Sequence, residues 1–392
     1  MESSLPAELL AATNAPVALI GLNATGSHST LWRAFTQGGG NRSLRWLLID
    51  DPGNDLPKSP KGRRTSYEWF IPKGILKTNW MSKHLNSVPA VAVVFIDLEW
   101  NASEWNERKM ECAARVQAVR AALSGRGTKI ALVLIQRQEM TPPSVASSEE
   151  STASERATAL CSACDLSARS LFVLPINAEN LNGYISRLEN AFYELAQNYY
   201  HQEIRGVKAH RDYLNKTTHL YLFVRHQFKA GFLNELKRDL HAGYKHYSQA
   251  YNLLMEVRAT DTNIMEVKTV GGFINYKMCK LAFQLNLPRD AISQFRRHMD
   301  IFQHKVGLEE LAFEHRGWQS SQCSTFAEIF ADAIKHGLPA IQTQHPGLYY
   351  QQVRLPAHLQ ITIVLSGLRR CGRVIHMMDI SDFKTSIRNY CI

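Results

Sequence analysis

The sequence predicts an α/β layer with a mostly parallel sheet, followed by an all-helical α-solenoid of the tetratricopeptide kind (TPR-like). Three observations predict it. The first half alternates short β-branched runs with helical stretches. From Asn180 to about Gln352 no convincing strand is found, only amphipathic helices. Those helices run about 17 to 30 residues each and break at Gly, Pro or Asn.

Five runs read as strands: "PVALIGL" (16–22), "LRWLLI" (44–49), "AVAVVFIDL" (90–98), "KIALVLIQ" (129–136) and "SLFVLPI" (170–176). Short apolar runs of this kind suit strands buried on both faces of a parallel sheet. A helix is predicted from Ser103, with Ser103 as cap and Glu107 in the first turns. Met110, Ala114, Val116, Val119 and Leu123 roughly follow its period, and Gly125 can end it. The stretch 138–156 is rich in Ser, Thr, Glu and Pro and reads as a mobile loop inside the α/β part, because another strand follows it.

In the second half, Leu181, Tyr184, Ile185, Leu188, Ala191, Phe192, Leu195 and Tyr199 recur near i, i+3, i+4, i+7. The runs "AGYKHYSQAYNLLMEV" and "LPRDAISQFRRHMDIF" put small residues and aromatics on alternating turns, as helix-pair repeats do. No strict 34-residue pattern repeats, so the solenoid is expected to be irregular. The expected division is residues 1–177 for the α/β domain, 178–352 for the solenoid and 353–392 for a poorly ordered tail.

The 392 residues are 45% hydrophobic and 20% charged, which places the chain among globular proteins. No run approaches a membrane span, and the N-terminus lacks the basic start of a signal peptide. Seven scattered cysteines suit reduced thiols in the cytosol. A net charge of +10 admits nucleic acid, anionic lipid or an acidic protein as partner, and charge alone does not choose.

The motifs that carry chemistry are incomplete. "GLNATGSH" (21–28) has the glycine spacing of a phosphate loop, but Ser27 and His28 stand where Lys and Ser/Thr belong. A plain strand-to-helix turn is the better reading. "CSAC" (161–164) has the gap of a zinc or redox pair, without a second pair nearby, and reads as two buried helical thiols. "AFEHRGW" (312–318) sets an acid beside a base, as exposed helix ends often do. No nucleophile or acid–base pair of a catalytic site emerges, and no cofactor or metal is expected.

Long contiguous runs carry a resemblance. They include "RTSYEWFIPKGILKTNWMSKHLNSVPAVAVVFIDLEW" (64–100), "ASERATALCSACDLSARSLFVLPI" (153–176), "RLENAFYELAQNYYHQEIRGVKAHRDYLNKTTHLYLFVRHQFKAGFLNELKRD" (187–239), "GGFINYKMCKLAFQ" (271–284) and "AIQTQHPGLYYQQ" (340–352). Over about residues 15–352 the chain resembles the subunit 11 family of the trafficking protein particle (TRAPP) complex, and its helical part resembles the foie gras domain. The resemblance implies a non-catalytic scaffold subunit of a TRAPP III-type vesicle tether, acting in endoplasmic reticulum-to-Golgi transport and autophagy. It implies other TRAPP subunits as partners, small core and large accessory ones alike. A Rab-family GTPase and the Golgi membrane would be reached indirectly, and no nucleic acid is expected. The implied place is cytoplasmic, peripheral at the Golgi and the ER-Golgi intermediate compartment. After Gln352 the sequence departs from the family, and 353–392 reads as a foreign tail from splicing or a gene-model error.

For a partner-binding surface the candidates are Tyr67, Trp69, Trp80, Lys83 and His84, with Lys73 and Lys77 as further outward charges. In the solenoid they are Arg225, His226, Phe228 and Lys229. The alternative is that these are packing residues with solvated charges between them. A second reading of the whole chain is a basic adaptor that binds anionic membrane or nucleic acid directly.

Overall fold

The computed structural model describes residues 5–37, 43–57, 70, 72–136, 146–176, 180–308, 312–338 and 345–353. Strands β1 (Ala15–Ile20), β2 (Leu44–Ile49), β3 (Val91–Asp97), β4 (Lys129–Gln136) and β5 (Leu171–Pro175) form one sheet in the order β2-β1-β3-β4-β5. Every pairing is parallel. The chain leaves β1 toward β2 on one side and returns to β3 on the other, so β1 and β3 flank the point where the winding reverses.

Alternation within each strand sends side chains to opposite faces. Val17, Leu19, Val91, Val93, Phe95, Ala131, Val133 and Ile135 join one core, and Ala18, Ile20, Ala92, Val94, Ile96, Leu132 and Leu134 join another. Both faces are therefore covered in β1, β3 and β4. The edge strands differ from the expectation of two buried faces: Leu48 of β2 and Val173 of β5 are exposed. An edge strand has one flank open to water, and its cover is thinner.

The α/β part carries α1 (Ala7–Leu10), α2 (Ser29–Gln37), α3 (Pro52–Asp55), α4 (Trp80–Asn86), α5 (Trp105–Ala122) and α6 (Ala146–Cys164). Helices α5 and α6 cover the second face through Cys112, Val116, Val119, Leu160 and Cys164. Ser103 does not cap α5; Glu104 stands at that position, without a side-chain cap bond. Met110 and Ala114 are exposed, and the buried stripe runs through Trp105, Cys112, Ala113, Val116 and Val119. Gly125, at φ +74°, does mark the chain reversal after this helix. Helix α6 begins at Ala146, so the second half of the stretch read as a mobile loop is helical; residues 137–145 lie outside the described residues. Ser, Thr and Glu are acceptable helix formers, and Pro142 and Pro143 precede Ala146.

The helical part comprises α7 (Leu181–Arg211), α8 (Leu220–Leu236), α9 (Leu240–Met255), α10 (Ile264–Gln284), α11 (Pro288–Phe302), α12 (Ala312–Lys335) and a short α13 (346–353). Consecutive helices from α7 to α11 pack against one another, and α12 returns onto α10. The turns are tight. Asp239 accepts from the Ala242 N–H at 3.0 Å, and Pro288 opens α11 after Asn286 at φ +58°. Gly231 of α8 faces α9 where a Cβ would lie 2.8 Å from the Tyr247 ring, so the close approach of these helices depends on that glycine.

Helix α7 joins the two parts. Its 31 residues span about 46 Å at 1.5 Å per residue. Ile185, Leu188 and Phe192 belong to the same apolar core as Val93 of the sheet, and that core continues through Phe232 of α8 to Ile274 of α10. Asn180 caps α7 by accepting from the Gly183 N–H at 3.0 Å. One continuous core thus crosses the division expected at 177/178, where residues 177–179 lie outside the described residues. Residues 354–392 of the expected tail also lie outside them.

Candidate functional site at the sheet–helix seam

Two places invite a function. The first is the turn after β1, at the carboxyl edge of the sheet where α/β proteins bind ligands. Gly21 sits at φ +80°, and a Cβ there would meet the Phe95 carbonyl oxygen at 2.6 Å. The turn passes close over β3 and needs glycine for that. The Asn23 N–H donates to His28 Nδ1 at 3.1 Å. That leaves Nε2 as the protonated nitrogen, and it faces both Asp97 carboxylate oxygens at 3.2 Å. A buried imidazole therefore takes up one of the amides, that of Asn23, in the loop whose glycine spacing resembles a phosphate loop. Among the described residues, no group of three His, Cys, Asp or Glu could hold a metal ion.

The second place is the seam between the segment 72–86 and α8. Here the two sets of candidates, some 140 residues apart in sequence, come together. Lys229 Nζ lies 5.2 Å from the centre of the Trp80 ring, and Phe232 meets the same ring edge-on at 5.6 Å. His84, one turn along α4, sits 4.4 Å from Trp80. Arg225 donates from Nε to the Ile75 carbonyl at 2.9 Å and from its Nη2 to the Gly74 carbonyl. Glu266 of α10 accepts the Ile75 N–H at 2.5 Å. A Cβ on Gly74 would stand 2.9 Å from that carboxylate. One short peptide is thus gripped from α8 and α10, and this grip docks α4 onto the helical part.

The electrostatics follow from the burial. Desolvation, then the fields of Lys229, Lys83 and Arg126, push the His84 pKa down to about 3, so the ring is neutral. Desolvation, then Arg225 and Lys77, lower Lys229 to about 8 against the opposing pull of Glu203. Lys83 is lowered by desolvation and by Arg126 and Lys77. Burial also lowers Arg225, with Glu266 opposing it.

The remaining candidates separate. His226 turns to α7, where its Nε2 lies 2.9 Å from His210 Nδ1; burial, then His210, pushes it down to about 3. Phe228 is buried and meets Tyr247 edge-on at 5.4 Å, within the helical core. Lys73 and Lys77 are exposed. Tyr67 and Trp69 lie outside the described residues. Sequence reasoning missed Phe232, Glu266 and Arg126. Phe232 shares a helix face with Lys229 and Phe228, a signal that was present; Glu266 is 191 residues from its partner, and nothing local marks it.

Two chemical readings change. Cys164 is buried but Cys161 is only half-buried; burial raises Cys164 to about 11 and Cys112, its neighbour on α5, to about 12, so neither offers a thiolate. "AFEHRGW" is not an exposed end. His315 is buried, accepts from Lys268 Nζ at 3.1 Å through Nδ1 and donates to the Gln303 carbonyl at 3.1 Å.

Comparison with known proteins places these elements. Residues 64–182 match the family "Trafficking protein particle complex subunit 11 N-terminal domain". Residues 263–361 match the family "Foie gras liver health family 1". The chain is 54% identical over 353 residues to trafficking protein particle complex subunit 11 of Gallus gallus, and 54% over 352 residues to those of Bos taurus and Homo sapiens. The chain is a partial homologue of trafficking protein particle complex subunit 11.

The aligned part is 88–89% of this chain and 30% of each curated relative. The subunit 11 N-terminal match covers the seam segment 72–86 and ends within α7, and the foie gras match begins at α10 rather than at the start of the helical part. It runs to residue 361, beyond the departure expected after Gln352. The relatives are named as subunits of a trafficking complex, and neither matched family is a catalytic one. Among the described residues, no helix is long and apolar enough to cross a membrane.

Proposed function

We propose that the chain is a non-catalytic scaffold of a TRAPP III-type vesicle tether, working in endoplasmic reticulum-to-Golgi transport and autophagy. It binds the small core and large accessory subunits, and through them reaches a Rab-family GTPase and the Golgi membrane. It works in the cytoplasm, peripheral at the Golgi and the ER-Golgi intermediate compartment. The observation that carries this reading is the 54% identity over 88–89% of the chain to proteins named as trafficking protein particle complex subunit 11. The single apolar core from β3 to α10 supports it, because a fused unit of this kind presents a fixed surface to its neighbours.

The test is affinity purification of the tagged 392-residue chain from cells at physiological salt. Recovery of the small core subunits in stoichiometric amount is expected. The reading fails if none is recovered while the chain remains folded. Salt separates the two readings: a charge-driven adaptor loses its ligand steeply between low and physiological salt, whereas an apolar interface keeps it.

A further inference from the structure

We propose that the seam around Trp80 is a binding site for a phosphate-type oxyanion, with Lys229, Lys77 and Lys83 as its ligands. One lysine stands over the indole and two more flank it in sequence. Lys77 and Lys83 lie three residues either side of Trp80 in sequence, the Lys77 carbonyl accepting the Trp80 N–H at 3.3 Å, and Lys229 approaches its ring from α8. None of their three ammonium groups donates a hydrogen bond to, or forms an ion pair with, a described residue; among the described residues Lys229 Nζ meets the face of Trp80.

This arrangement is unfavourable on its own. Lys229 is half-buried with no hydrogen-bond acceptor among the described residues, and the fields of Arg225 and Lys77 push its charge off further. Arg126 adds to the field at Lys83 and His84. The carboxylate opposing this at Lys229 is Glu203, while Glu266 is occupied with the Ile75 amide beside Arg225. The two fully buried lysines among the described residues are matched, Lys277 by Glu235 and Lys268 by the Val306 carbonyl and His315, while half-buried Lys280 meets the Tyr276 ring as Lys229 meets Trp80. A tetrahedral oxyanion would supply the acceptors that Lys229 lacks and would bridge it to Lys77 and Lys83. The floor beneath it is held in place, because Arg225 and Glu266 fix the 74–75 backbone and Phe232 backs the indole. The source of the phosphate is a lipid headgroup or a free phosphorylated solute.

The experiment titrates the full chain with inorganic phosphate, and separately with phosphatidylcholine vesicles with and without a phosphatidylinositol phosphate. Sodium chloride of equal ionic strength is the control. His84 is the reporter: an anion beside it raises its depressed pKa, which NMR of the imidazole reads. We expect phosphate or the phosphoinositide vesicles to shift His84 upward and to raise the melting temperature. Lys229→Met keeps the packing on Trp80 and should weaken binding roughly tenfold. Lys77→Ala with Lys83→Ala, at one exposed and one half-buried position, should do the same with the melting temperature of the unliganded chain kept, and Lys335→Ala should change nothing. A response to phosphate alone assigns a free solute, and a response to the vesicles alone assigns a headgroup. No response to either, an equal response to chloride, or an equal loss in Lys335→Ala overturns the proposal. Subunit co-purification is read independently, so failure here leaves the scaffold reading standing.

Discussion

The sheet and the helical part solve the problem of a unique core in different ways. In the sheet, the described buried residues are almost all aliphatic, and the parallel register itself decides which side chain faces which helix. In the helical part the core also holds Glu235, Lys268, Asn275, Lys277, Gln294, His298 and His315. Helices can rotate and slide where strands cannot, and each buried polar group must find one partner. Lys277 meets Glu235 at 3.1 Å, and Tyr247 donates to the other oxygen of the same carboxylate, so α8, α9 and α10 are joined at one point. Tyr251 meets His298 at 2.8 Å across α9 and α11. The comparison teaches that orientation here is fixed by hydrogen bonds where backbone register is missing. The following variants test this specificity role.

The sharpest way to break it is Lys277→Met. The carboxylate of Glu235 would be left buried without its cation, costing about 3–5 kcal/mol in urea unfolding. Pairing it with Glu235→Leu should recover most of that loss; a double variant as unstable as the single one would refute a pair-specific role. Next comes the seam. Arg225→Ala removes charged bonds to the Gly74 and Ile75 carbonyls and should cost about 1.5–3 kcal/mol, with faster hydrogen exchange confined to α4 and its approach. Uniform exchange across the molecule would count against a local clip.

Gly231→Ala drives a methyl group into the Tyr247 ring and should cost about 1–3 kcal/mol, which thermal melting will read. Gly206, in α7 with nothing within 4 Å of a Cβ, should behave oppositely: Gly206→Ala should gain about 0.5–1 kcal/mol. If both variants shifted stability the same way, close helix approach would not be the cause.

Acid should act on the helical part. His298 is fully buried and its pKa is pushed down to about 3, first by desolvation, with Gln322 opposing. An unfolded imidazole titrates near 6.5, so between about pH 6.5 and 3 the unfolded chain takes up a proton that the folded chain refuses. Its contribution is intact above pH 6.5 and declines as pH falls, by about 1.4 kcal/mol per pH unit. Urea unfolding at pH 7 and pH 5 should show it, and His298→Gln should flatten that slope. An unchanged slope in the variant would assign the acid sensitivity elsewhere.

Much of this was legible. Two of the five strands, 44–49 and 129–136, were bounded to the residue, because a buried parallel strand is a short apolar run with turn residues at both ends. The α7 stripe through Ile185, Leu188, Phe192 and Tyr199 was legible for the same kind of reason, its period of 3.6. Helix α5 was placed, but its face was misjudged at Met110, since its apolar stripe is weak and Cys112 and Ala113 carry part of the burial. Of the candidate site, Trp80 and Lys229 were each picked out as aromatic and basic, and their pairing was not.

By itself the sequence determined the alternation of strands and helices, the change to helices at Asn180 and the absence of a complete catalytic motif. These are properties of residues near one another in the chain, where period, turn chemistry and spacing act directly. Only the tertiary structure decided that His28 closes on Asp97, that Arg225 and Glu266 hold the peptide at 74–75, and that Lys229 stands over Trp80. Those contacts join residues 69 to 191 positions apart. No local propensity encodes them: they exist because α7 and α8 carry one apolar core from the sheet into the helices, and the polar groups at its margin must pair where that core brings them.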